Sequence, residues 1–136
     1  MTRVEIALVE GPIAPGPPTR DASLDADQQV GSRVCFEGIV RGEEDGRPIA
    51  AIDYEIYEPM ASRMLEAIAR EEAERPGICS IEVVHSRGRV GAGEVSFRCV
   101  VRSRHRAEGL AALASFIERM KRDVPIWKRP EFDGVR

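Results

Sequence analysis

Two stretches of this sequence carry apolar residues at helical spacing, and most of the rest alternates with a period of two. The first helix is predicted over 59–74, with Pro59 at its first position and Met60, Met64, Leu65 and Ile68 as its apolar stripe. Pro76-Gly77 stops it. The second is predicted over 106–122, with Leu110, Leu113, Ala114 and Ile117 facing inward and Pro125 beyond its end. Strands are predicted at 3–9, 33–41, 50–57, 78–85 and 94–102. In the last, Val95, Phe97, Cys99 and Val101 point one way, and Ser96, Arg98 and Arg102 the other. Asp45-Gly46, within 42–47, joins the second and third strands as a hairpin.

The remaining segments complete the order β-(α)-β-β-α-β-β-α-β, an α+β pattern and not a regular parallel wind. Residues 11–30 read as a variable loop in which GPIAPGPP forbids regular structure. A short helix over 19–29, capped by Asp21 or Ser23, follows in it. Residues 86–93 read as a glycine-rich connection, and 130–136 as an irregular tail after a short edge strand. The 136 residues suit a single domain spanning 1–136.

Charge narrows the function classes. A net charge of −3 supplies no broad field for nucleic acid or an anionic membrane, so an anion site must be a local cluster. No apolar run approaches the roughly 20 residues that cross a bilayer. The first residues are too polar for a signal peptide, so a cytoplasmic location is expected. Three cysteines without a C-x-x-C pair, and two histidines far apart, indicate neither a disulfide framework nor a metal site.

Basic residues cluster instead at the ends of elements. His105-Arg106 opens the second helix, where unpaired N–H groups and a guanidinium fork suit phosphate or carboxylate. A solvated helix start is the plain alternative. Lys121 falls four residues after Ile117 and eleven after Leu110, so it continues the buried stripe. A lysine there loses hydration, which favours proton transfer or nucleophilic attack; a snorkelling lysine at a helix end is the alternative. Lys128-Arg129 follows Trp127, an apolar anchor for the pair, and Arg41 ends a strand. Cys99, between Phe97 and Val101, reads as a buried, unreactive thiol.

These basic positions lie in ordered motifs: FEGIVRG at 36–42, YEIYEPMA at 54–61, VHSRGRVGAGE at 84–94, SRHR at 103–106 and MKRDVPIWKR at 120–129. The set resembles the catalytic large-subunit family of molybdopterin synthase, the MoaE family, over roughly 30–129. Its most specific part is the pair of lysines seven apart around P-x-W. The resemblance implies an α/β-hammerhead-type fold with a mixed or antiparallel sheet, two main helices and a small β subdomain. It implies a homodimer core of a heterotetramer, with a small ubiquitin-like sulfur-carrier subunit (MoaD type) at each end. The carrier's C-terminal Gly-Gly would bring a thiocarboxylate to cyclic pyranopterin monophosphate, without a metal or other cofactor.

Carried over by motif, Lys121 is the implied central catalytic lysine and Lys128 assists it. Arg41, His105, Arg106 and Arg129 would bind the phosphate or the carrier tail, beside Ile39, Val40 and Pro130. Ile39 stands where the family often has a basic residue, and Pro130 where it usually has an acidic one. Two other readings remain: a non-catalytic dimeric module that docks a ubiquitin-like partner, and a phosphate-ligand sensor that needs neither lysine.

Overall fold

A computed structural model describes residues 2–15 and 22–133. Its described elements are strands β1 (Arg3–Glu10), β2 (Ser32–Ile39), β3 (Glu43–Glu44), β4 (Arg47–Ile56), β5 (Ile78–Gly91), β6 (Val95–Ser103) and β7 (Ile126–Phe132), with helices α1 (Met60–Ala73) and α2 (Arg106–Asp123). The class is α+β: two helices on a seven-stranded, mostly antiparallel sheet. The order is β2-β6-β5-β4-β3, with β1 parallel to β5 and β7 antiparallel to β4. None of the described helices is long and apolar enough to cross a membrane.

β5 is the spine, because it changes partner along its length. Its first part pairs β6 as far as His85↔Phe97, and its last part pairs β4 from Gly88↔Tyr54 to Gly91↔Ala51. Gly88, between the two regions, has φ 77°, a backbone region that side chains disfavour. A Cβ there would also meet Glu10 Oε1 at 2.6 Å. What reads in sequence as a glycine-rich connection over 86–93 is therefore strand through Gly91, with a bend in it.

The expected hairpin of 33–41 with 50–57 does not form. β2 pairs β6, and β4 lies between β5 and β7. Asp45 and Gly46 do make a tight turn, both with positive φ, but it joins β4 to the two-residue β3. Within the expected irregular tail, residues 130–132 belong to β7; the end of that tail lies outside the described residues. The expected helix over 19–29 is a single 3-10 turn, Ala22–Leu24, and Asp21 lies outside the described residues.

Both helices cover one face of the sheet. Leu65 and Ile68 of α1 pack with Ile81 and Val83 of β5, Cys99 of β6, and Leu113 and Phe116 of α2. The buried face of α2 is Gly109, Ala112, Leu113, Phe116 and Met120, one position off the predicted stripe. Leu110 is 51% exposed, and Ala114 also faces water. Large apolar residues at 110, 113 and 117 draw a sequence reading toward that stripe, whereas small Gly109 and Ala112 are what let the helix approach β6 and β2 closely.

The other face is covered by the segment that follows β1. Ile13 and Leu24 are buried there, and Ile13 shares a hollow with Val100. Arg102, on the face opposite Val95, Phe97, Cys99 and Val101, is fully buried. Its Nη1 donates to Glu82 Oε1 at 2.6 Å, and its Nε donates to Asp25 Oδ1 at 2.9 Å. The Asp25 contact closes the loop onto the sheet. Removing one partner of a buried ion pair strands the other charge, at roughly 3–5 kcal/mol. Arg102→Met should therefore lower unfolding free energy by about 3 kcal/mol in urea titration. The double change Glu82→Leu with Arg102→Met should lose less than Arg102→Met alone.

Candidate functional site

The seam between the main sheet and the β4–β7 extension opens into a cavity of about 500 Å³. Its walls come from β2, β4, β5, β6, the end of α2 and β7. Arg41, Ile39, Lys121 and Lys128 all line it. Arg41 and the two lysines, some 80 residues further along the chain, thus share one space.

Each reaches the cavity for a local reason. Lys128 lies opposite Tyr54 on the β4–β7 ladder, so the two side chains leave the sheet on the same face. Arg41 follows β2, whose pairing with β6 shifts register between Gly38 and Ile39. Just beyond that shift, Val40 N–H donates to the Glu94 carbonyl at 3.0 Å, and the Val40 carbonyl accepts from Gly93 N–H at 2.7 Å. Clamped so, Val40 buries its side chain with Ile49, Ile52, Tyr54 and Val90, and Ile39 and Arg41 turn outward. Lys121 sits in the last turn of α2, next to buried Met120. It is exposed, not on the buried stripe expected for it, because the true stripe runs one residue earlier.

The other predicted site residues stand elsewhere in the single chain. Arg129, one residue past Lys128, projects from the opposite face of β7 and pairs with Glu55. Pro130 is opposite Ile52 and does not line the cavity. Val40 is in the core, as above, and offers the cavity only its neighbours. His105 and Arg106 are exposed at the start of α2. At about 1.5 Å per residue, His105 lies roughly 24 Å along the helix from Lys121. Trp127 is no buried anchor: it is 58% exposed, with its ring edge-on to Tyr57 at 6.4 Å.

The cavity's inner wall was not legible as a site in the sequence. Tyr54 donates to Ser96 Oγ at 2.9 Å across the floor. Burial pushes the Tyr54 phenol up, against the opposing pull of that hydrogen bond, so it stays a neutral donor. The ring of His85 meets Tyr54 edge-on at 5.3 Å and Phe97 at 5.7 Å. Phe97 in turn stacks on Phe116 of α2 at 6.5 Å. Burial lowers the His85 imidazole below its ordinary 6.5; the Ser86 carbonyl opposes this and the Lys128 charge adds to it. The signal for this wall was the alternation of Ile81, Val83 and His85, which sets His85 among apolar neighbours.

No thiol here is activated. Cys99 is fully buried, and burial drives it far above the ordinary thiol range. Burial also raises Cys35 and Cys79. Among the described residues, no three His, Cys, Asp or Glu side chains gather as metal ligands.

This geometry accords with what known proteins share with the chain. A family model described as "MoaE protein" matches residues 12–123. The chain belongs to the MoaE family. It is 33% identical over 132 residues to the molybdopterin synthase catalytic subunit of Coccidioides immitis, and 36% identical over 134 residues to that of Ajellomyces capsulatus. These alignments cover 97% and 98% of the chain, but the chain spans only 66% and 64% of those relatives' lengths. Among solved structures it resembles the molybdopterin synthase of Staphylococcus aureus, with a TM-score of 0.80 and 30% identity over 94% of this chain and 91% of that one. It also resembles a chain in the complex of subunits 1 and 2 of molybdopterin-converting factor from Helicobacter pylori, with a TM-score of 0.70 and 26% identity over 96% and 91%. The motifs at 36–42, 54–61, 84–94 and 120–129 supply most of the cavity's lining, and β6 and α2 add Ser96, Phe97 and Ile117.

The lowered His85 value has a stability consequence. Between its folded value and 6.5, the unfolded chain binds a proton that the folded chain refuses. The stabilisation is full above 6.5 and is lost as pH falls through that window. Urea titrations at pH 7 and pH 5.5 should show wild type losing stability on acidification, and His85→Phe losing less.

Proposed function

We propose that this chain is a catalytic subunit of molybdopterin synthase. It would transfer sulfur from the thiocarboxylated C-terminal Gly-Gly of a small ubiquitin-like carrier to cyclic pyranopterin monophosphate, making the dithiolene. The observation that carries this reading is the convergence of Arg41, Lys121 and Lys128 on one cavity. The two reacting ends, a thiocarboxylate and a cyclic phosphate, are both anions and repel each other. Three cations let them approach within bonding distance. A volume of about 500 Å³ lies within the ordinary range of small-ligand sites.

The residues divide by placement. Lys128, fixed on a strand beside Tyr54, suits a rigid contact to the bound pterin. Lys121, exposed on the last helical turn, suits an anion that arrives from another chain, the carrier's thiocarboxylate. Arg41 offers a planar fork to the phosphate. The thiocarboxylate supplies the sulfur, which agrees with three cysteines whose thiols are all raised by burial. The similarity to a chain solved in complex with a second subunit supports a carrier as partner.

The same reading takes the fold as an α/β hammerhead in a cytoplasmic enzyme. Its small β subdomain would be β3, β4, β7 and the end of β5, which share a second core of Val40, Ile49, Ile52, Tyr54 and Val90. A homodimer core gives His105, Arg106 and Arg129 a role as well. Exposed on one chain, they are available to an anion bound at a second copy.

The reaction tests this directly. The purified chain, mixed with thiocarboxylated carrier and cyclic pyranopterin monophosphate, should yield dithiolene product. Lys121→Ala should lower the rate by about 100-fold or more, the scale of losing a preorganised charge at a reacting anion, with the fold intact by circular dichroism. Wild-type turnover in that variant would remove Lys121 from the mechanism. Cys99→Ala should retain activity; complete loss in a folded variant would point to a persulfide on the protein instead.

A further inference from the structure

One polar atom of the cavity wall has no task in the roles above. His85 is only 5% exposed, yet it lines the cavity that holds Lys121 and Lys128. Its Nδ1 lies 2.7 Å from the Ser86 carbonyl oxygen. A carbonyl can only accept, so in the neutral ring the proton sits on Nδ1 and Nε2 is a bare acceptor. Among the described residues Nε2 has no hydrogen-bond partner. Tyr54, whose ring packs against it, already spends its hydroxyl proton on Ser96. The ring cannot readily turn to find another donor, because Tyr54 and Phe97 pack against it.

Nε2 is not among the fully buried atoms that lack a partner, so it opens onto the cavity, where a ligand's donor can reach it. Its surroundings describe that ligand. Phe97 and Phe36 line the same cavity, 6.0 Å apart, and favour a flat conjugated ring. Lys128 and Arg41 favour an anionic group on the same molecule. A heterocycle rich in ring N–H groups and carrying a phosphate satisfies all three.

We propose that His85 Nε2 accepts a hydrogen bond from a ring N–H of the bound heterocycle, making His85 the residue that recognises the pterin end of the substrate while Arg41 and Lys128 hold its anionic end. This rests on the pterin-substrate reading above. It divides the cavity into a wall that reads the ring and a rim that reads the charge. Ligands with the phosphate but no ring would bind without using His85.

Titration calorimetry of the full chain tests the division, with cyclic pyranopterin monophosphate and inorganic phosphate as separate probes. His85→Phe removes the acceptor and keeps a ring among ring neighbours; His85→Gln keeps an acceptor near the Nε2 position. His85→Phe should bind the pterin phosphate about tenfold more weakly than wild type and inorganic phosphate as wild type does. His85→Gln should recover most of the loss. Equal binding of the pterin phosphate by His85→Phe and wild type overturns the proposal while leaving the substrate reading in place. A parallel loss for both probes overturns it too, since His85 would then only shape the site. If wild type binds inorganic phosphate but no pterin phosphate, the substrate reading fails and the proposal with it. A second measurement needs no variant: in nitrogen NMR of the wild-type chain, the His85 Nε2 resonance should move upfield when pterin phosphate binds, with Nδ1 nearly still. An unmoved Nε2 resonance at saturation overturns the proposal even if His85→Phe does not fold.

Discussion

Tyr54 has a ladder partner on each side, Lys128 of β7 and Gly88 of β5. Everything at the site hangs on that row of three. One neighbour fixes where a cation leaves the sheet. The other is the glycine at which β5 bends away from β6 and takes up β4. A one-residue slip in the β4–β7 register would turn Lys128 to the far face and bring Arg129 to the cavity in its place. The register is held by burial: Ile52, Tyr54 and Ile56 alternate inward on β4, and Val40, Ile49 and Val90 close the small core around the first two.

Packing then ties this extension to the helical layer. The ring series Tyr54, His85, Phe97 and Phe116 runs from β4 through β5 and β6 into α2. Phe116 is four residues before Met120, and Met120 is beside Lys121. The helix that carries one lysine is therefore keyed, through rings, to the strand that sets the other. Cavity and core are continuous here, which is why a buried histidine can belong to both. On the opposite face of the sheet, the Glu82–Arg102–Asp25 network fastens the segment after β1 and contributes nothing to the cavity.

Much of this was legible in the sequence, and the failures share a cause. Period-two alternation located most strands, and two apolar stripes located both helices. The MoaE motifs picked out Arg41, Lys121 and Lys128, which the fold brings together. Pairing was not legible, because alternation says which side of a strand is apolar and not which strand lies beside it. So β2 and β4 read as a hairpin from their nearness in sequence, and the strand character of 86–91 and 130–132 was lost among Gly, Arg and Pro. Small residues misled as well: Gly109 and Ala112 mark the true inner face of α2 through close approach, where Leu110 suggested it through size. The burial of Arg102 was not legible either, because its partners, Asp25 and Glu82, are 77 and 20 residues away. His85 read as a strand residue for the same reason that it matters: apolar burial hides a polar group until the rings around it are seen.

Cations from two distant stretches of the chain, Arg41 after β2 and Lys121 and Lys128 around the end of α2, act on one ligand in one cavity. A crystal structure of the chain with cyclic pyranopterin monophosphate tests it most directly. The phosphate is expected within hydrogen-bond reach of Arg41 and Lys128, and the ring against the Phe97 and His85 wall. Ligand density on another surface, such as the hollow lined by Glu5, Ile6 and Arg98, with this cavity filled only by water, would contradict it.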